Sequence, residues 1–116
     1  MNKKIIEIQK KKNKSKIVSL TAYSKNIAKI LDKYCDIVLV GDSMANVLYG
    51  LNNTHSISLE NIIQHTISVR KGVKDSLLVV DMPKGTYSNS RIAIKNAKSI
   101  MKVTKCDALK IESNGR

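Results

Sequence analysis

Three short apolar runs of this chain each end on a carboxylate. Ile37-Val38-Leu39-Val40 leads into Gly41-Asp42, Leu77-Leu78-Val79-Val80 into Asp81, and Ala108-Leu109-Lys110-Ile111 into Glu112. Runs of aliphatic residues without alternation read as strands buried on both faces, the habit of parallel sheets. In parallel α/β folds the ligand sits outside the carboxyl ends of the strands. Acids placed one per strand at that edge converge on one point, and holding them there partly desolvated costs several kcal/mol unless something positive faces them. A hard divalent cation such as Mg²⁺ answers this, because it takes oxygen ligands and keeps positions open for substrate. The competing reading is that each acid starts a loop or caps the next helix. Three acids in register favour the shared site.

The rest of the chain supplies the helices such a sheet needs. Ile17 to Tyr23 reads as a first strand, and Ser24 as the N-cap of a helix with Ile27, Ile30, Leu31 and Tyr34 on one face. After the second strand, Met44 to Ile57 reads as a long loop with Gly50 and Asn52-Asn53 as turn signals. Ser58 is expected to cap a second helix whose inner face is Leu59, Ile62, Ile63, Thr66 and Val69, stopped by Gly72. A third helix follows Ser90, with Ala93, Ala97, Ile100 and Met101 turned inward. This β-α-β-α-β-α-β cadence fits either an open doubly wound domain or the first half of a (β/α)₈ barrel, which typically needs ~250 residues. No glycine-rich phosphate loop, zinc-type Cys/His spacing or Gly-x-Ser-x-Gly elbow is present.

Composition narrows the class. The 116 residues fit one domain with a core of its own, and 42% apolar with 26% charged residues is the balance of a globular chain. No stretch approaches the ~18 apolar residues of a membrane span. The basic start, residues 1–16, has no apolar segment of a secretory signal; it reads as an exposed arm or short helix with Ile5, Ile6 and Ile8 on one side. Cys35 and Cys106 read as free thiols beside apolar runs, so a cytoplasmic setting is expected. The net charge of +12 raises nucleic acid as a partner. Against it, 18 of the 21 basic residues are Lys, and the tyrosines (Tyr23, Tyr34, Tyr49, Tyr87) do not interleave with them. A/T-rich codons favour Lys, Ile and Asn alike, so nucleic acid is not the expected partner.

Five segments occur together in order: Thr21-Ala22-Tyr23, Leu39-Val40-Gly41-Asp42-Ser43, Leu59-Glu60 followed by His65-Thr66, Val80-Asp81-Met82-Pro83, and Leu109-Lys110-Ile111-Glu112. With them the chain, from about Ile17 onward, resembles the ketopantoate (3-methyl-2-oxobutanoate) hydroxymethyltransferases. That family folds as a (β/α)₈ barrel of about twice this length, so the resemblance is to its amino-terminal half, with residues 17–116 as four βα-type strands of a partial TIM barrel after the 1–16 arm. It implies transfer of a hydroxymethyl group from 5,10-methylenetetrahydrofolate to 3-methyl-2-oxobutanoate, giving 2-dehydropantoate in pantothenate and coenzyme A biosynthesis. It also implies Mg²⁺ on Asp42 and Asp81, with Glu112 completing the acidic set. Asp42, Asp81, Ser43 and Lys110 are the substrate-binding residues by the same resemblance. Lys110, two positions before Glu112, would share its face and point to the substrate oxygens.

The resemblance further implies a homo-oligomer binding a 2-oxo acid and folate, with a catalytic glutamate beyond residue 116. These residues alone are therefore expected to be inactive. His65 is read as a helix packing and hydrogen-bonding residue without catalytic role. The chain departs from the family's pattern at Ser24, His55-Ser56, Lys84, Lys105 and Ser113-Asn114. Lys105, if it takes a left-handed cap, costs about 1 kcal/mol relative to Gly. Two other readings remain open at this level: a Mg²⁺/2-oxo-acid barrel of the phosphoenolpyruvate mutase and isocitrate lyase kind, and a non-catalytic half-barrel binding protein.

Overall fold

The computed structural model describes residues 2–113. Four parallel strands, β1 (Ser19–Thr21), β2 (Ile37–Val40), β3 (Leu77–Asp81) and β4 (Ala108–Lys110), lie side by side in chain order. A doubly wound sheet reverses direction after its first strands, whereas a barrel adds each strand beside the last. The sequential order therefore selects the partial-barrel reading over the open doubly wound one.

Register explains which side of the sheet is covered. Val38 pairs with Leu78, and Val40 with Val80, which pairs in turn with Leu109. Side chains of register partners share a face, and here they meet the helices α2 (Lys25–Leu31), α4 (Leu59–Arg70) and α5 (Ser90–Thr104) through Ala28, Ile62, Val69 and Ile100. The alternate residues Leu39, Val79 and Ala108 are only half-buried on the opposite face. The expectation that these strands are buried on both faces is corrected: on the opposite face only the two ends of β3, Leu77 and Asp81, are buried among the described strand residues.

Helix α4 forms as its sequence dictates. The Ser58 hydroxyl accepts from the Asn61 amide while the Asn61 side chain accepts from the Ser58 amide, a reciprocal capping box. Ile62, Thr66 and Val69 are buried beneath it. The role of Gly72 differs from a simple stop. A Cβ at that position would stand 2.4 Å from the Lys25 carbonyl oxygen and 2.8 Å from the Lys29 nitrogen. The glycine is there because α2 passes this close.

Other expectations are revised by tertiary contacts. In α2 only Ala28 is buried; Ile27, Ile30 and Tyr34 are exposed, and Ser24 makes no side-chain cap. Met101 of α5 is likewise exposed, and Thr104 takes an inward position. The stretch from Met44 to Ile57 is not all loop. It contains the short helix α3 (Met44–Val47), with Met44 and Ala45 fully buried, and a 3₁₀ turn at Thr54–Ser56. Four residues are too few to show a helical period, and burial holds them.

The basic arm is better tied than its composition suggests. Helix α1 (Lys3–Lys10) is capped by Asn2, whose side-chain amide also donates to Asp107. Lys4 donates to the Ser76 carbonyl and pairs with Asp107, and Lys11 pairs with Asp36. Ser76, Asp36 and Asp107 each immediately precede a strand or lie one residue before it, so α1 is fastened at the amino ends of the strands. Ile5 and Ile8 are half-buried and Ile6 is exposed. Cys35 and Cys106 are free thiols, half-buried and buried; burial pushes both thiols up in pKa.

Candidate active site

The carboxyl ends of β2, β3 and β4 open into one cleft of about 270 Å³. It is lined by Asp42, Asp81, Lys110 and Glu112, together with Thr54, His55, Met82, Lys84 and Tyr87. Asp42 and Asp81 arrive there by the same route: an apolar strand buries its helix face, and the first charged residue projects at its end; Glu112 lies two residues beyond β4, whose last residue is Lys110.

Asp81 and Lys110 are register partners on neighbouring strands, and their side chains meet across the open face. The Lys110 ammonium lies 2.7 Å from Asp81 Oδ1 and 2.9 Å from Glu112 Oε1. Burial disfavours a charged lysine, yet the hydrogen bonds from both carboxylates outweigh it, so Lys110 is held above the ordinary lysine pKa. The same contact holds Glu112 below the usual carboxylate range. The Tyr87 hydroxyl donates to the Glu112 carbonyl at 3.1 Å and so fastens the backbone beyond β4.

Asp42 occupies the opposite electrostatic position. Its backbone N–H donates to Asp81 Oδ2 at 3.0 Å, an approach that Gly41 leaves open, since a Cβ there would sit 3.2 Å from that oxygen. Burial pushes the Asp42 carboxyl up, and the nearby charges of Asp81 and Glu112 push it the same way. Lys110 and a hydrogen bond from Thr54 offset part of this. One ammonium thus faces three carboxylates.

Ser43 follows on the same turn. Its hydroxyl lies 2.6 Å from the Tyr23 hydroxyl. His65 on α4 bonds the Tyr23 carbonyl through Nδ1 at 2.9 Å and the Tyr49 hydroxyl through Nε2 at 2.8 Å. These partners are 16 to 42 residues apart in sequence, which is why sequence patterns did not bring Tyr23, Tyr49 or Tyr87 into the site. Among the departures from the family pattern, His55 and Lys84 line the cleft, Ser113 is exposed, and Asn114 lies outside the described residues.

Among the described residues no three His, Cys, Asp or Glu side chains are grouped so as to hold a metal ion by themselves; Lys110 stands between Asp81 and Glu112. The donor chemistry nevertheless suits a hard cation. All the donors are oxygens, and the raised Asp42 pKa marks a point where added positive charge is favourable. No described helix is long and apolar enough to cross a membrane.

Comparison with known proteins now bears on this cleft. The sequence model of the ketopantoate hydroxymethyltransferase family matches residues 2–116, taking in the basic arm as well as the strands. A 3-methyl-2-oxobutanoate hydroxymethyltransferase of Pelagibacter ubique (strain HTCC1062) is 61% identical over 112 residues, which is 97% of this chain and 44% of the relative. Enzymes of that name from Anaplasma marginale (strain St. Maries) and Chelativorans sp. (strain BNC1) are 45% and 46% identical, covering 93% and 91% of this chain. They are covered over 39% and 38% of their own length. The chain spans about two-fifths of the length of the curated relatives it matches. On this evidence the chain belongs to the ketopantoate hydroxymethyltransferase family.

Proposed function

We propose that the cleft serves the transfer of a hydroxymethyl group from 5,10-methylenetetrahydrofolate to C3 of 3-methyl-2-oxobutanoate, giving 2-dehydropantoate for pantothenate biosynthesis. The observation that carries this reading is the Asp81–Lys110 pair flanked by Asp42 and Glu112, at the carboxyl edge of a sequential parallel sheet. Such a cluster suits a small anionic 2-oxo acid. The relatives' shared name supplies the substrate.

In this reading Asp42 and Asp81 hold Mg²⁺, with Glu112 completing the acidic set. When bound, the ion supplies Lewis-acid polarisation of the oxo acid. Lys110, fixed by two carboxylates, presents its ammonium to the substrate oxygens, where negative charge grows as the C3 proton leaves. Ser43 donates to the substrate carboxylate. The glutamate that takes the proton lies, by the family resemblance, outside these 116 residues. The chain tested alone therefore binds without turnover. The whole protein is a cytoplasmic homo-oligomer in the same reading.

The test is calorimetric titration of the 116-residue chain with 3-methyl-2-oxobutanoate, with and without Mg²⁺. Binding that needs Mg²⁺ and is lost in D81N is expected. Absence of binding, or binding indifferent to D81N, overturns the reading.

A further inference from the structure

His65 bonds two residues that flank the turn carrying Asp42 and Ser43, and it does not line the cleft. Its Nδ1 is bonded to the carbonyl oxygen of Tyr23, at the end of the segment leaving β1. A carbonyl only accepts, so Nδ1 carries the proton. Nε2 is then the acceptor, and the Tyr49 hydroxyl donates to it. Tyr49 closes the short helix that begins directly after Ser43, its amide donating to the Met44 carbonyl. The Tyr49 ring also stands edge-on to the imidazole, centroids 6.0 Å apart. One ring of α4 thereby ties the backbone of Tyr23, whose hydroxyl meets Ser43, to Tyr49 at the end of the helix after the turn.

We propose that His65 is a positioning residue, setting the Ser43 hydroxyl for an anionic substrate through Tyr23. The Tyr23 phenol lies 2.6 Å from the Ser43 oxygen and is far more acidic than a serine hydroxyl. The phenol therefore donates, and the Ser43 proton is left to donate to a carboxylate. The two bonds polarise in the same sense and strengthen each other. His65 acts upstream: by fixing the Tyr23 backbone and Tyr49, it holds the turn where this donation is made. The substrate part rests on the proposed function, whereas the clamp itself does not.

Two measurements separate them. Nitrogen NMR of the 116-residue chain should show the neutral His65 ring as the tautomer with its proton on Nδ1 and none on Nε2. H65A should stay folded by circular dichroism yet shift the Ser43 amide and Tyr23 ring resonances. Affinity for 3-methyl-2-oxobutanoate with Mg²⁺ should fall roughly 3- to 10-fold in H65A and in Y23F, the range of one lost hydrogen bond. H65N, which keeps a donor near Nδ1, should recover part of the loss. The double variant should be no weaker than the worse single one. A proton on Nε2, or unmoved Ser43 and Tyr23 resonances in H65A, overturns the clamp. Wild-type binding with H65A binding equally well overturns the positioning role. If the wild type does not bind the oxo acid, the functional reading and the substrate part fall together, and the NMR result alone decides the clamp.

Discussion

Asp81 Oδ1 and Lys110 Nζ, 2.7 Å apart on neighbouring strands, form the one ion pair that joins two strands of this sheet at its carboxyl edge among the described residues. Asp81 is 5% exposed, whereas the Lys110 side chain keeps 38% exposure. Water thus reaches the pair from the lysine side. Removing the lysine leaves a nearly buried carboxylate facing Asp42 and Glu112.

K110M is therefore expected to destabilise the fold by about 1–2 kcal/mol, below the cost of breaking a fully buried pair because solvent screens the lysine side. Its effect on ligands should be split. Oxo-acid affinity should fall about tenfold or more, since a cationic contact to the substrate is lost. Mg²⁺ affinity measured without substrate should not fall, because an ammonium competing for Asp81 has gone. Equal losses for both ligands would show that Lys110 only supports the fold.

Acid titration should reveal two opposite contributions. Burial opposes ionisation of Asp32 and Asp107; it is outweighed at Asp32 by hydrogen bonds from Lys74, Asp75 and Ser76, and at Asp107 by the Leu78 N–H, the Asn2 side chain and the charges of Lys4 and Arg70, while the Lys11 hydrogen bond does the same for Asp36. All three carboxyls sit below the ordinary value of 3.8 in the folded chain. The stability they contribute is present above 3.8 and is lost as pH falls through their folded values. Asp42 has the reverse sign. Its raised folded pKa makes the folded chain the better proton binder, so stability declines as pH rises from 3.8 through that raised value. In urea unfolding from about pH 3 to pH 7, D42N should gain on the wild type through this upper window and track it at the acid end. Parallel pH curves for the two proteins would remove the electrostatic account of Asp42.

G72A should be among the more damaging single-methyl additions. The new Cβ would face two backbone atoms, Lys25 O and Lys29 N, and backbone cannot rotate aside as a flexible side chain does. Helix α2 has to move off α4, at a cost of about 2–4 kcal/mol. Gly50 is the control for crowding: nothing lies within 4 Å of its Cβ position, so any cost there comes from its positive φ of 64°. A thermal shift for G72A no larger than for G50A would refute the close-approach argument.

These residues also show what a sequence exposes. Strands β2 and β3 were legible because a run such as Leu77 to Val80 has no polar member to turn outward, and the acids after them follow from the strand ends. The cap of α4 was legible because its whole mechanism lies within Ser58 to Asn61. Helix α2 was misread because Ile27, Ile30 and Tyr34 make an apolar stripe that this fold leaves exposed, while burial falls on the small Ala28 at the close approach to Gly72. Asp32 gave no signal at all. It accepts from the backbone N–H groups of Lys74, Asp75 and Ser76, more than 40 residues away. In the site, charge placement was legible and the Tyr23–His65–Tyr49 clamp was not, for the same reason of distance.

The residue most open to improvement is Lys105, which closes α5 in the left-handed conformation at φ 58° and ψ 27°. The sequence places a lysine where the fold asks for a residue without a Cβ, and a non-glycine residue in that region costs about 1–2 kcal/mol. Its amide donates to the Met101 carbonyl at 3.0 Å and its carbonyl accepts from Arg70, so the cap is built from backbone that glycine also has. The Lys105 side chain is exposed and makes no ion pair among those of the described residues. Against the relieved strain stands the greater freedom of glycine in the unfolded chain, about 0.4–1 kcal/mol. K105G should thus stabilise the protein by about 0.5–1 kcal/mol, with K105A gaining nothing because its Cβ remains. Chemical denaturation of the three proteins decides the matter: a glycine variant no more stable than the lysine form would mean that the left-handed cap is not where this chain carries strain.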